Sequence, residues 1–111
     1  MHKLKLSVFE SYLLAVVAMD RDYEPLGTVQ PFMAARFGSR AYPRAIVRAL
    51  KALETRGLVR TYCYSPSRSK DRYIPRPISL RPRNLWRNNA WFRATSTGLA
   101  QLKALSVRVE I

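Results

Sequence analysis

A chain of 111 residues, 48% of them hydrophobic, is long enough for one modest core and too apolar for general disorder. Its 20 Lys and Arg residues against 7 Asp and Glu residues give a net charge of +13, which solubility alone does not require and which indicates an anionic partner. The single cysteine, Cys63, excludes an internal disulfide and a cysteine-based metal site.

The charge is unevenly distributed along the chain. Residues 1–35 hold 3 basic and 4 acidic side chains, whereas residues 36–111 hold 17 basic and 3 acidic ones. The second part therefore carries the positive surface. The longest apolar run, residues 12–19, is too short to cross a bilayer, so we expect a cytoplasmic protein without membrane contact.

The first predicted helix runs from about Val8 to Asp20. Ser7 followed three residues later by Glu10 is a capping box, and the helix is apolar on more than one face. Either the C-terminal helix and tail or a second subunit covers the extra face. The acidic residues that follow, as far as Glu24, lack the ligand number of a calcium loop, so we expect a solvated loop without bound metal.

The second and third predicted helices are joined by a tight turn. The second runs from Val29 to about Phe37 after an N-cap at Thr28, and Phe32, Ala35 and Met33 are expected to face the core. Ser39 is expected to cap the third helix, whose regular part starts between residues 41 and 43.

The third helix is amphipathic and ends at Gly57. Its apolar residues Ile46, Leu50 and Leu53 share one side at about 100° per residue. The opposite side carries basic residues, and Gly57 is suited to the left-handed conformation at a helix C-terminus. One helix therefore packs on the core and presents positive charge to solvent.

A strand is predicted from Leu58 to about Tyr64, and a second one from Trp91 to Ala94. The intervening residues, 65–90, are rich in Arg and Pro and are longer than a simple hairpin needs. We expect a turn, a brief pairing of residues 73–74 with the first strand, and an elongated arm over residues 76–89.

The last predicted helix, about Ser96 to Leu105, begins after a cap at Thr95 and buries a stripe of Leu99, Leu102 and Leu105. The tail, residues 106–111, alternates as a strand does, as do residues 3–6. The two termini are therefore expected to pair, within one chain or between two.

Two segments resemble the PadR and MarR kind of winged helix-turn-helix regulators. The first segment is similar to the third helix and first wing strand of these families; it is residues 46–60, IVRALKALETRGLVR. The second segment is residues 92–102, FRATSTGLAQL. It is similar to the second wing strand and the following helix start of these families, where a threonine stands three residues before a glycine. The resemblance implies an α+β fold: one winged helix-turn-helix domain over residues 1–111, with a three-helix core, a β-hairpin with a wing enlarged at about 65–90, and a C-terminal helix.

Duplex DNA is the expected partner, since an α-helix fits the major groove and Arg can bond guanine through two parallel hydrogen bonds. The expected contacts on the third helix and its approach are Arg40, Tyr42, Arg44, Val47, Arg48 and Lys51. The expected wing contacts, on the backbone or in the minor groove, are Arg68, Lys70, Arg72, Arg76, Arg81 and Arg83. We expect a small sequence-specific transcriptional regulator, acting as a homodimer on palindromic sites.

Two alternatives stay open: a non-specific architectural or replication-associated nucleic-acid-binding protein, and a winged helix that binds an acidic protein. Catalysis is not expected, because the one histidine lies at position 2 and no phosphate-binding glycine loop is present. No cofactor, metal or small-molecule ligand is indicated.

Overall fold

The computed structural model describes residues 5–20, 22–66, 71–78 and 90–105. Within these ranges the chain is α+β, with four α-helices and a four-stranded antiparallel sheet in the order β1-β4-β2-β3. The helices are α1 (Val8–Ala18), α2 (Leu26–Phe37), α3 (Pro43–Thr55) and α4 (Ser96–Leu105). The strands are β1 (Glu24–Pro25), β2 (Val59–Pro66), β3 (Asp71–Pro75) and β4 (Trp91–Ala94).

Helix α1 lies at the centre of the domain. Its predicted capping box is present: the Ser7 backbone N–H donates to Glu10 Oε1 at 2.9 Å, and the Glu10 N–H donates to Ser7 Oγ at 3.0 Å. Every residue from 12 to 18 is buried, because α2, α3, α4 and β4 all pack against this helix. The extra apolar face is thus covered from within the chain, and the predicted pairing of the termini lies outside the described residues.

Helix α2 starts three residues earlier than predicted. Glu24 and Pro25 form β1 and pair with Phe92 and Trp91 of β4, and the helix begins immediately afterwards with Pro25 as its N-cap. This pairing joins residues nearly 70 positions apart, so the local pattern around Thr28 did not reveal it. The predicted core side is confirmed for Met33, which is fully buried, and Phe32 is half-buried. It is wrong for Ala35, which is exposed, whereas Val29 and Phe37 are buried.

A short 3₁₀ turn, Gly38–Arg40, joins α2 to α3, and α3 starts at Pro43, within the predicted range. The predicted cap is wrong: Ser39 lies inside the 3₁₀ turn, and the N-cap residue is Tyr42, which makes no side-chain capping bond. Ile46, Leu50 and Leu53 are fully buried, as their spacing predicted. Gly57 has φ 74° and ends the helix: its N–H donates to Glu54 O, and the next N–H, of Leu58, donates to Leu53 O. These two bonds form a Schellman motif, which fixes the direction in which β2 leaves the helix.

The β2–β3 hairpin is longer than predicted and returns to the domain. Strand β3 pairs with five residues of β2, from Tyr62↔Pro75 to Pro66↔Asp71. Beyond it, the Arg76 N–H donates to Thr61 O at 2.9 Å, and Ile78 is buried with its N–H donating to Glu54 Oε2 at 3.0 Å. The start of the expected arm therefore packs on β2 and α3, and the rest of it, residues 79–89, lies outside the described residues.

Helix α4 has the predicted bounds and cap but a different packing side. Thr95 Oγ1 accepts from the Gly98 N–H at 3.0 Å and donates to Gly57 O at 2.7 Å, so one side chain joins the start of α4 to the end of α3. The buried residue of α4 is Gly98, and Leu99 and Leu105 are 36% and 41% exposed. The predicted leucine stripe is wrong for Leu99 and Leu105, whereas Leu102 is half-buried and packs against the core. The helix packs through Gly98, because it approaches Leu58 too closely there for any other residue to face it.

Candidate nucleic-acid interface

The solvent side of α3 is entirely basic or hydroxylic. Arg44, Arg48, Lys51 and Thr55 lie opposite the buried residues of the helix, and all four are exposed. The Thr55 hydroxyl donates to Lys51 O within the helix. The one carboxylate of α3, Glu54, accepts the Ile78 N–H at 3.0 Å.

Two further arginines lie at the junction that leads into α3. The Arg40 guanidinium carbon is 5.6 Å from the centre of the Phe37 ring, and that of Arg36 is 5.2 Å from the same ring and 5.9 Å from the ring of Tyr12. These distances are in the range of cation–π contacts, which position a guanidinium while leaving it charged. Arg36 was not predicted as a contact, although its place in the last turn of α2 indicates that it faces the same junction.

An open groove of about 400 Å³ brings two of the predicted contacts together. Arg40 and Arg48 line it, and Ala45, Ala49 and Ala52 of α3 contribute small side chains. Glu10 also lines the groove, but it already accepts the Ser7 N–H and lies 3.9 Å from Arg56 Nη1. The two guanidiniums therefore share a surface that admits a phosphate-sized group.

Tyr42 and Val47 differ in accessibility. Tyr42 is the N-cap residue of α3 and is 49% exposed, so its side chain is available at the start of the helix. Val47 is 7% exposed and belongs to the core cluster. The prediction that Val47 contacts a base is therefore wrong for this structure. The Val47 side chain lies between the apolar and basic sides of α3 and packs inward.

Only some of the predicted wing contacts belong to the described residues. Arg72 on β3 and Arg76 after it are both exposed. Because the Arg76 backbone is bonded to Thr61, Arg76 lies beside the sheet and not along a projecting arm. Arg68, Lys70, Arg81 and Arg83 lie outside the described residues.

Metal binding and membrane insertion find no support in the residues described. These residues include no group of three or more side chains placed to hold a metal ion. None of the helices among them is both long enough and apolar enough to traverse a bilayer. Cys63 is free and half-buried in β2.

The acidic loop contains one buried carboxylate. Asp20 and Asp22 are exposed, as expected for a solvated loop, but Glu24 is 7% exposed. Burial raises the pKa of Glu24 above its ordinary value of 4.5, and the negative charges of Asp20 and Asp22 raise it further. The folded chain therefore binds a proton at Glu24 more tightly than the unfolded chain does.

This shift predicts a pH-dependent stability. As pH rises from about 4.5 through the folded pKa of Glu24, the wild type loses the stability that its protonated form contributes. We expect Glu24→Gln to be more stable than the wild type at pH 7, by a margin that shrinks as pH falls and disappears near pH 4. Urea denaturation at several pH values measures this difference in the free energy of unfolding. Asp22→Asn is the control: it should reduce the loss of stability with rising pH without removing it. A constant difference between Glu24→Gln and wild type at all pH values would contradict the assignment.

Comparisons of the chain with protein-family models, with curated proteins and with solved structures found no match.

Proposed function

We propose that this chain binds duplex DNA by placing the basic side of α3 in the major groove. The observation that carries the proposal is the division of α3: Ile46, Leu50 and Leu53 are fully buried, while Arg44, Arg48 and Lys51 are exposed on the opposite side and form no ion pair within the described residues. A B-DNA major groove is about 12 Å wide and admits one α-helix. Arginine side chains on such a helix reach both phosphates and guanine edges.

The architecture supports a winged helix-turn-helix arrangement. Helices α1, α2 and α3 precede a hairpin, and the short strand β1 between α1 and α2 pairs with β4 at the edge of the sheet. This order is compatible with the winged-helix fold; in the proposal, β2 and β4 form the wing hairpin, and β3 belongs to the enlarged wing between them. Arg72 lies on β3, and in the proposal it contacts the DNA backbone beside the groove that α3 occupies.

The biological role proposed is that of a small sequence-specific transcriptional regulator. Arg44 and Arg48 are assigned to base edges, Lys51 to phosphate, and Arg36, Arg40 and Tyr42 to the flanking backbone. We retain a homodimer in the proposal, because two-fold dimers bind palindromic sites. Helix α1 no longer argues for it, since its apolar residues are buried within one chain.

The salt dependence of binding separates this proposal from a protein-interaction module. If about five phosphates are contacted, log K for a duplex falls against log salt with a slope of about −4 to −5. Fluorescence anisotropy of a labelled duplex measures this slope between about 50 and 200 mM salt. Absence of binding at ~100 mM salt would favour the module that binds an acidic protein, and a flat slope would contradict the backbone contacts.

A further inference from the structure

A continuous aromatic surface lies on the side of the sheet that faces away from the helices. Thr61 and Phe92 are paired across β2 and β4 and are buried in the core. Their neighbours Tyr62 and Trp91, also paired, therefore point to the opposite side, because successive residues of a strand alternate. We call this side the tyrosine face and define it as Tyr23, Arg60, Tyr62, Tyr64, Tyr73, Trp91 and Arg93.

The rings of the tyrosine face contact one another directly. The Tyr73 ring lies parallel to that of Tyr23, with 3.9 Å between centroids and 9° between planes. Tyr64 and Trp91 contact Tyr73 edge-on at 5.1 and 5.4 Å, and Tyr62 contacts Tyr23 in the same way. All five rings are half-buried, so each keeps part of its surface open to solvent.

Two arginines lie opposite each other on this face. Arg60 of β2 is the direct cross-strand partner of Arg93 of β4, and both are exposed. Like charges in this position repel and destabilise a sheet. Arg93 also lies 5.0 Å from the centre of the Tyr23 ring, and within the described residues no carboxylate pairs with either arginine. An anion between the two guanidiniums would offset their repulsion.

Within residues 60–64, 73–75 and 91–93, the outward positions combine aromatic and cationic groups without an acid. From residues 60–64 across to 73–75 and 91–93 they carry four aromatic residues, one proline and two arginines. Stacking on aromatic side chains beside a cationic backbone contact is how proteins hold unpaired nucleic-acid strands with little sequence preference. An apolar protein partner would instead leave two arginines covered without a counter-charge.

We propose that the tyrosine face binds an unpaired nucleic-acid strand, with Arg60 and Arg93 on its phosphates and its bases on Tyr62, Tyr64 and Trp91. This surface is separate from α3, so the inference goes beyond the proposed duplex contact and does not depend on it. A chain with both surfaces would bind where a duplex adjoins an unpaired segment, through α3 on the duplex and the sheet on the strand.

The experiment measures two affinities for each variant by fluorescence anisotropy. One probe is a labelled oligothymidylate of about 15 nucleotides, which is long enough to fill most single-strand binding sites. The other probe is a labelled duplex. Arg60→Gln/Arg93→Gln is expected to weaken oligothymidylate binding about tenfold or more while changing duplex binding no more than a matched control does. The control, Lys5→Gln/Lys103→Gln, removes two exposed charges that belong to neither proposed surface.

A second pair of variants tests the rings apart from the charge. Tyr62→Leu/Tyr64→Leu is expected to weaken oligothymidylate binding about fivefold or more, since the bases lose the aromatic rings on which they stack. Tyr62→Phe/Tyr64→Phe keeps the rings and is expected to bind within about twofold of wild type. Thermal denaturation of each variant verifies that it is folded.

Three results would overturn the inference. The first is no oligothymidylate binding by the wild type at about 50 mM salt, where electrostatic contacts are strong. The second is an equal loss in the arginine pair and the control pair, which would assign the effect to net charge. The third is competition by polyglutamate as effective as by unlabelled oligothymidylate, which would indicate an acidic protein partner. Because duplex affinity is recorded separately, failure of this inference and failure of the α3 proposal are distinguishable.

Discussion

Replacing Gly98 with alanine is expected to destabilise the fold by about 3 kcal/mol or more, at the upper end of the usual cost of overpacking. A Cβ at this position would overlap the carbonyl oxygen of Leu58, and it would lie 3.1 Å from the carbonyl carbon of that residue. The obstacle is backbone, and it is held in place because Leu58 O accepts the Thr95 N–H at 3.0 Å. Helix α4 would have to move away from the sheet, losing the hydrogen bonds that Thr95 makes to the end of α3.

Gly27 provides the matched control for this prediction. It lies in the first turn of α2, and a Cβ added there meets no atom within 4 Å. Gly27→Ala is expected to stabilise the chain by about 0.4–1 kcal/mol, because alanine restricts the unfolded state. For a domain of this size, 3 kcal/mol corresponds to a fall in Tm of roughly 10–20 °C. Circular dichroism measures both variants, and an unchanged Tm for Gly98→Ala would contradict the close contact of α4 with Leu58.

Removing the charges of α3 is expected to have the largest effect on DNA binding. Arg48→Ala should weaken duplex binding by about 1–3 kcal/mol and relax the preference at one base pair. The triple variant Arg44→Ala/Arg48→Ala/Lys51→Ala should weaken binding at least about a hundredfold near 100 mM salt and reduce the salt slope. Alanine has the highest helix propensity, so these exposed substitutions should leave α3 intact.

Lys103→Ala is the charge control for α3, because Lys103 is exposed on α4 and lies outside both proposed surfaces. Its effect on duplex affinity is expected to be small and independent of sequence. Anisotropy titrations and circular dichroism of all variants separate lost contacts from lost folding. Equal affinities for the Arg48→Ala and Lys103→Ala variants would show that α3 does not enter the groove.

The parts of the fold that the sequence predicted correctly are those fixed by local chemistry. The capping box at Ser7, the left-handed Gly57 and the cap at Thr95 each depend on residues within three or four positions, and all three are present. The buried side of α3 was also predictable, because its apolar residues repeat with the helical period.

The errors come from contacts between distant parts of the chain. Strand β1 forms only because β4 lies beside it, and this pairing moved the start of α2 to Leu26. Helix α4 packs through Gly98, and hydrophobic periodicity gives no weight to a glycine that lets two backbones approach. Ile78 is buried against α3, although it is surrounded in the sequence by arginine and proline.

The candidate interface was predictable to a similar degree. The exposed arginines of α3 followed from the helical period, whereas Val47 lay near the boundary of the two sides and the structure places it inside. The sequence indicated only part of the tyrosine face. Alternation placed Tyr62 and Tyr64 on one side of β2. The rings of Tyr23, Tyr73 and Trp91 come from distant parts of the chain, and they lie beside these two tyrosines only because the strands pair.

Selection of binding sites from random duplex DNA decides whether α3 reads a base sequence. If α3 reads the major groove, repeated selection should enrich one motif, and the chain should bind that motif at least about a thousandfold more tightly than its scrambled sequence. If no motif is enriched and scrambled duplex competes equally, the chain binds DNA through its charge alone, and the sequence-reading role of α3 is contradicted.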